Sequence, residues 1–162
     1  MTATAPERLQ LDGDCLIVLE RTLLAAAPEE GCALLLGQQL GSSLALQRIW
    51  PCRNQWQPPE ERQRRFSLDP REQLLAQRWC RAQGLRVLGA AHSHPSSAAV
   101  PSTTDQQLCV GPTLMLIRCG LETGLSALRA WWVEDADGNL RPPLELPIAL
   151  QPATPGAGRL GE

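Results

Sequence analysis

The sequence predicts an α/β fold, with a mixed β-sheet and helices packed on it. Three observations predict it. Residues 70–83 carry a helical pattern framed by Asp69-Pro70 before it and Gly84 after it, and an apolar run, residues 85–91, follows at once. Asp caps free N–H groups, proline suits the first helical position and glycine ends a helix, so a helix here feeds directly into a buried strand. Two apolar segments, residues 32–36 and 43–50, flank Gly41 as the arms of a hairpin would. Finally, strand-like and helix-like segments alternate irregularly, which suits a mixed sheet better than a wholly parallel or antiparallel one.

Each element has its own justification. Residues 1–12 read as a loose lead-in or a short edge strand in LQLD. Asp12 or Asp14 caps a helix over residues 15–27, whose Leu16, Leu19, Leu23, Leu24 and Ala27 form an apolar stripe; Pro28 ends it. Residues 32–36 form a buried strand with Glu30 at its mouth. Residues 51–65, with Pro58-Pro59 and the run Glu60-Glu61-Arg62-Gln63-Arg64-Arg65, read as a solvated loop. Phe66-Ser67-Leu68 reads as a short strand, and Leu74, Leu75, Trp79 and Ala82 as the core face of the helix that follows. Residues 113–119 look like a central buried strand, and 125–133 like another with Leu128, Ala130 and Trp132 on one face. Asp137-Gly138-Asn139 suits a tight turn. A single domain over residues 1–140 is expected, followed by a Pro/Gly-rich tail, 141–162, with one short strand near 144–148 and disorder beyond 150.

Composition narrows the function classes. The formal charge of −2 gives no sign of a nucleic-acid partner. All fifteen basic residues are arginine, so the chain has no internal lysine for isopeptide attachment. Six scattered cysteines without a C-x-x-C pair, no apolar leader and no apolar run of membrane length point to a cytoplasmic protein with free thiols and no membrane partner.

The chemistry concentrates in residues 90–105, AAHSHPSSAAVPSTTD, which hold the chain's two histidines. At i and i+2 on a strand, His92 and His94 point to the same side. Pro95 stops the strand, and Ser102 opens a short helix over about 103–109 that can bring Asp105 back to the histidines. Two imidazoles and one carboxylate leave a fourth tetrahedral position open, the ligand count of a catalytic rather than a structural zinc. The competing reading makes Ser102 and Asp105 only a capping box.

The whole string, His92-Ser93-His94-Pro95, six residues, then Ser102-x-x-Asp105, resembles the metal-binding motif of the JAMM/MPN+ zinc metalloprotease family. Residues 28–37, PEEGCALLLG, resemble the glutamate segment of its stand-alone prokaryotic members, with Ala33 where the family usually has glycine. The resemblance runs through Asn54 and residues 66–70 and covers roughly residues 15–135. It implies a curved mixed sheet flanked by helices, in a cytidine-deaminase-like arrangement. It also implies one catalytic Zn2+ held by His92, His94 and Asp105, with Glu30 as general base and Ser102 as oxyanion donor. Glu29, one residue off, competes for the role of base. The activity implied is hydrolysis of an amide or isopeptide bond at the C-terminal tail of a ubiquitin-like or sulfur-carrier protein, with a homodimer left open. A non-catalytic MPN-like scaffold and a RadC-like protein are the alternatives. The first would usually lose the ligand residues, and the second does not account for PEEGCALLLG.

Overall fold

The structure, a computed structural model, describes residues 4–122, 124–136 and 139–152. In chain order the elements are β1 (Arg8–Asp12), α1 (Gly13–Leu24), β2 (Cys32–Leu40), β3 (Ser43–Cys52), α2 (Pro70–Gln83), β4 (Arg86–His94) and α3 (Thr103–Gln107), followed by β5 (Thr113–Cys119), β6 (Leu128–Val133), β7 (Asp135–Ala136), β8 (Asn139–Leu140), β9 (Leu144–Leu146) and β10 (Ile148–Gln151). Eight strands form one curved, nearly barrel-shaped mixed sheet in the order β10-β1-β3-β2-β4-β5-β6-β9, and β7 and β8 pair separately. The α/β class and mixed sheet expected from the sequence are what the chain adopts.

Strand alternation gives the sheet two buried faces. On one, Leu9, Leu35, Leu44, Leu116 and Ala130 pack with Leu19 and Leu23 of α1. On the other, Leu34 and Leu36 meet Ala76 and Cys80 of α2, and Met115, Ile117 and Trp131 form a further cluster. The helix ends follow local chemistry. The Asp12 side chain accepts the Cys15 N–H at 2.8 Å, and Gly84 at φ +70° closes α2 in a conformation that favours glycine.

Several expectations are corrected. Segment 8–12 is not an edge strand, because β1 lies between β3 and β10 and runs parallel to both. α1 ends at Leu24, three residues early, and Leu24 is exposed. Residues 66–68 make no ladder. α2 has the expected bounds but is rotated: Leu74, Leu75 and Ala82 face solvent, Trp79 is half-buried, and Ala76 and Cys80 meet the sheet. Small side chains let the helix axis approach closely, so size alone picks the wrong face. The strand expected at 125–133 begins at Leu128. The tail segment supplies two strands rather than one, and they lie at opposite ends of the sheet: β9 pairs with β6 and β10 with β1. Only Pro147 separates them, and its carbonyl accepts the Leu9 N–H at 3.0 Å. Positions 137, 138 and 153–162, on which the turn and the disorder were expected, lie outside the described residues. Among the described residues no helix is long and apolar enough to cross a membrane.

β4 holds the feature that aims the site. Opposite it, Leu35 pairs with Gly89 but Leu36 pairs with Val87, so Leu88 is an extra, bulged residue. Val87 and Ala90 therefore share the α2 side while Leu88 and Ala91 face the α1 side. Counted on from Ala90, His92 and His94 fall on the α2 side of the sheet.

The packing sets up a stability contrast opposite to the one the sequence suggests. Leu146→Ala, at a residue only 2% exposed, should lower unfolding free energy by about 2–5 kcal/mol. Leu75→Ala, at a residue 51% exposed, should change it by no more than about 0.5 kcal/mol. Urea denaturation of the two variants beside the parent measures both.

Candidate metal centre

Four side chains converge where β4 ends. His92, His94, Glu30 and Asp105 are all buried. His92 Nε2 lies 3.0 Å from His94 Nε2, and Asp105 Oδ2 lies 3.0 and 3.2 Å from the two nitrogens. Glu30 Oε1 stands farther off, 3.9 Å from His94 Nε2. Glu30, His92 and His94 offer atoms within 4.8 Å of one another and form a buried group able to hold a metal ion. Glu29, the competing residue, sits in the turn before the strand and is exposed to an intermediate degree.

Each group is held by its neighbours. Ser93 Oγ accepts the Gly31 N–H at 2.8 Å, and the Ser93 N–H donates to the Gly31 carbonyl at 3.0 Å. This clasp joins the start of β2 to the end of β4 and sets Glu30 opposite the histidines. A side chain at 31 would strike the backbone of Leu23, so glycine lets α1 close over the clasp. Asn54 is the second anchor. Its Nδ2 donates to the carbonyls of Glu30, Arg62 and Arg65, and its Oδ1 accepts the N–H groups of Trp56 and Ser67. The segment expected to be a solvated loop is thus tied to the backbone of Glu30, with a 3-10 turn at Pro59–Glu61.

The two readings of Ser102 and Asp105 turn out to be compatible. Asp105 Oδ2 accepts the Ser102 N–H at 2.9 Å and Ser102 Oγ accepts the Asp105 N–H at 3.0 Å, a capping box that also holds Oδ2 against both histidines. His94 Nδ1 faces the Ala98 carbonyl at 2.7 Å; as the donor there, it leaves Nε2 with a free lone pair. Phe66 adds a side chain to the site that the metal-binding motif does not include. Its ring stacks on His92 with centroids 4.4 Å apart and planes at 21°. Beyond the family resemblance over residues 66–70, the only signal is an aromatic beside a charge run.

Burial shapes the electrostatics. It pushes the Glu30 carboxyl up to about 8, reinforced by Asp105 and opposed by His94. It also raises Asp105, but hydrogen bonds from both imidazoles outweigh it and hold that carboxyl below the ordinary range. Burial lowers His92, while for His94 the contacts with Asp105 and Ala98 overcome burial and raise it. Two buried atoms, Glu30 Oε2 and His92 Nδ1, have no hydrogen-bond partner among the described residues. A cavity of about 460 Å³ opens beside His92 and Asp105, floored by Leu34, Val87, Ala90 and Met115.

Removing the Asn54 side chain leaves carbonyls and N–H groups without partners, each worth about 1–3 kcal/mol when buried. Asn54→Ala should therefore lower the melting temperature and raise proteolytic nicking within 55–65, as mass spectrometry of the limited digest will report.

Known structures share this arrangement of elements. The solution structure of protein DSY2949 from Desulfitobacterium hafniense is similar at a TM-score of 0.73 and 28% identity, covering 89% of this chain and 93% of that one. That of a protein from Salinibacter ruber is similar at a TM-score of 0.59 and 26% identity, covering 86% and 91%. Among curated proteins none matches. The family described as prokaryotic homologs of the JAB domain, which includes metalloproteases, matches residues 15–134, the span that holds Glu30, Asn54, both histidines and Asp105. With most of its length matched and its site residues inside the match, this chain belongs to the prokaryotic homologs of the JAB domain.

Proposed function

We propose that the protein is a zinc-dependent metallopeptidase that hydrolyses an amide or isopeptide bond at the C-terminal tail of a ubiquitin-like or sulfur-carrier protein. The observation that carries the proposal is the triangle of His92 Nε2, His94 Nε2 and Asp105 Oδ2, with sides of 3.0, 3.0 and 3.2 Å. Bonds of about 2.0 Å to a tetrahedral ion give ligand-to-ligand edges of about 3.3 Å, so the triangle has the size of one face of such a site. Three protein ligands with one position left open are the donor set of a catalytic zinc. The partnerless Glu30 Oε2 beside them fits a site built to receive something more than protein.

When bound, the ion supplies Lewis acidity toward a carbonyl and lowers the pKa of water to about 7. Glu30, farther from His94 than Asp105 is, acts as a base rather than a ligand. Its carboxylate takes a proton from water as the water oxygen bonds to the carbonyl carbon, and returns it to the departing amine as the C–N bond breaks. Burial, which raises this carboxyl toward neutrality, matches its affinity for the proton to that exchange. Ser102 Oγ already accepts the Asp105 N–H, so its own hydrogen is free to meet the carbonyl oxygen as negative charge develops there. His94 is oriented by the Ala98 carbonyl and His92 by the Phe66 ring. The cavity of about 460 Å³ beside them offers room for the substrate tail.

Metal analysis of the purified protein should find zinc at one per chain, and His92→Ala, His94→Ala and Asp105→Ala should each deplete it. Glu30→Gln should keep the metal and lose about 10²–10⁴-fold in cleavage of a ubiquitin-like protein carrying a C-terminal extension. Strong loss in Glu29→Gln with little in Glu30→Gln would shift the base by one residue. Full activity in the metal-free protein would overturn the proposal.

A second outcome concerns protons. In the metal-free protein Glu30 stays protonated below about pH 8. A cation beside it favours the carboxylate, so zinc uptake at pH 7 should release protons, and the release should fade as pH rises through about 8. Calorimetry in buffers of different ionisation enthalpy reads the release directly.

A further inference from the structure

The net charge of −2 conceals a segregation. Residues 48–86 hold nine arginines against four carboxylates, a net +5, whereas the rest of the sequence nets −7. Among the described residues, only Arg65 of these nine has a carboxylate within salt-bridge distance, Glu61 at 3.9 Å. Of the other three carboxylates, Asp69 caps α2 and Glu72 accepts the Trp50 indole N–H.

Three of the eight arginines without an ion pair lie on one surface, the outer face of α2. Arg71, Leu74, Leu75 and Arg78 fall at i, i+3, i+4 and i+7 of α2, and Arg81 continues the row; all five are exposed, the leucines by 60% and 51%. One residue of this helix, Gln73 near its start, lines the cavity beside the candidate metal centre. Leu68, just before the helix, lines the same cavity together with Trp56, Arg65 and the exposed Leu108 and Val110, 57% and 90% exposed.

Building on the peptidase reading above, we propose that the outer face of α2 docks the body of an acidic protein substrate. Arg71, Arg78 and Arg81 meet its carboxylates, Leu74 and Leu75 supply a small apolar contact, and its tail runs into the cleft. Charge complementarity selects this occupant. Like charge would repel a basic partner, and three arginines without ion pairs of their own carry no carboxylate that binding would first have to displace. Guanidinium groups also bind carboxylates in a two-pronged fashion that lysine cannot match.

The test uses the full chain carrying Glu30→Gln, so that binding is read without turnover, with and without Arg71→Glu, Arg78→Glu and Arg81→Glu. The probes are a small acidic ubiquitin-like protein, the same protein with surface carboxylates converted to amides, and a single-stranded oligonucleotide. Fluorescence anisotropy should show the acidic protein bound by the parent and about tenfold or more weaker by the charge-reversed variant. Neutralising the probe should weaken binding to the parent similarly, and added salt should erase the difference. An unchanged melting temperature and zinc content show that the variant keeps its fold, and the neutralised probe tests the proposal on the parent chain alone. Equal affinity for the acidic and neutralised proteins would overturn it. So would tighter binding of the oligonucleotide, or a salt-reversible self-association in the ultracentrifuge that charge reversal abolishes. If the chain with Glu30 intact cleaves neither protein while the binding pattern holds, the peptidase reading falls and the docking face stands.

Discussion

The clasp between Gly31 and Ser93 is the contact on which the site depends. Its two hydrogen bonds, 2.8 and 3.0 Å long, join residues 62 apart in sequence. They hold the backbone of Glu30 beside a strand whose neighbouring residues are the histidines. Neither partner carries chemistry of its own. The arrangement works because backbone groups are placed more rigidly than side chains, and the reacting groups then need only their own rotamers to meet. Asn54 performs the same service from the other side, tying Glu30 to the loop before Phe66.

The chemical groups themselves were legible in the sequence. Spacing points to His92, His94 and Asp105, a family resemblance adds Glu30, and the structure brings the four side chains near one another. Elements with strong punctuation were also legible: α2 has the bounds that Asp69-Pro70 and Gly84 predict, and β5 those of its apolar run. What the sequence hid depends on partners distant in the chain. The bulge at Leu88 exists only relative to β2, yet it decides which side of the sheet the histidines occupy. The core face of α2 went to Ala76 and Cys80 because close approach to the sheet outweighed the size of Leu74 and Leu75. Phe66 gave no sign of its contact with His92, since stacking leaves no periodic trace.

Asp105 shows how the geometry of a capping box and that of a candidate metal site can meet in one residue. A capping box needs a carboxylate that accepts an N–H at a helix start, and a metal site needs a carboxylate oxygen aimed at two imidazoles. In α3 the same Oδ2 meets the Ser102 N–H and both Nε2 atoms. The cap therefore fixes the rotamer on which the site depends, and this short helix acts more as a bracket than as a structural unit.

The closure of the sheet carries a kinetic consequence. β1 at residues 8–12 lies beside β10 at 148–151, with Leu9 in register with Ile148, and the pairing is parallel. Contacts between the far ends of a chain form only after a large loss of loop entropy, and chains dominated by them fold slowly, in roughly milliseconds to seconds. Until β10 arrives, β1 presents an unpaired edge to its surroundings, a surface that other chains can extend. Once closed, the sheet ends in strands of only three and four residues, which offer little to add to. The hazard for this protein thus lies in the interval before closure, when the edge of β1 is open.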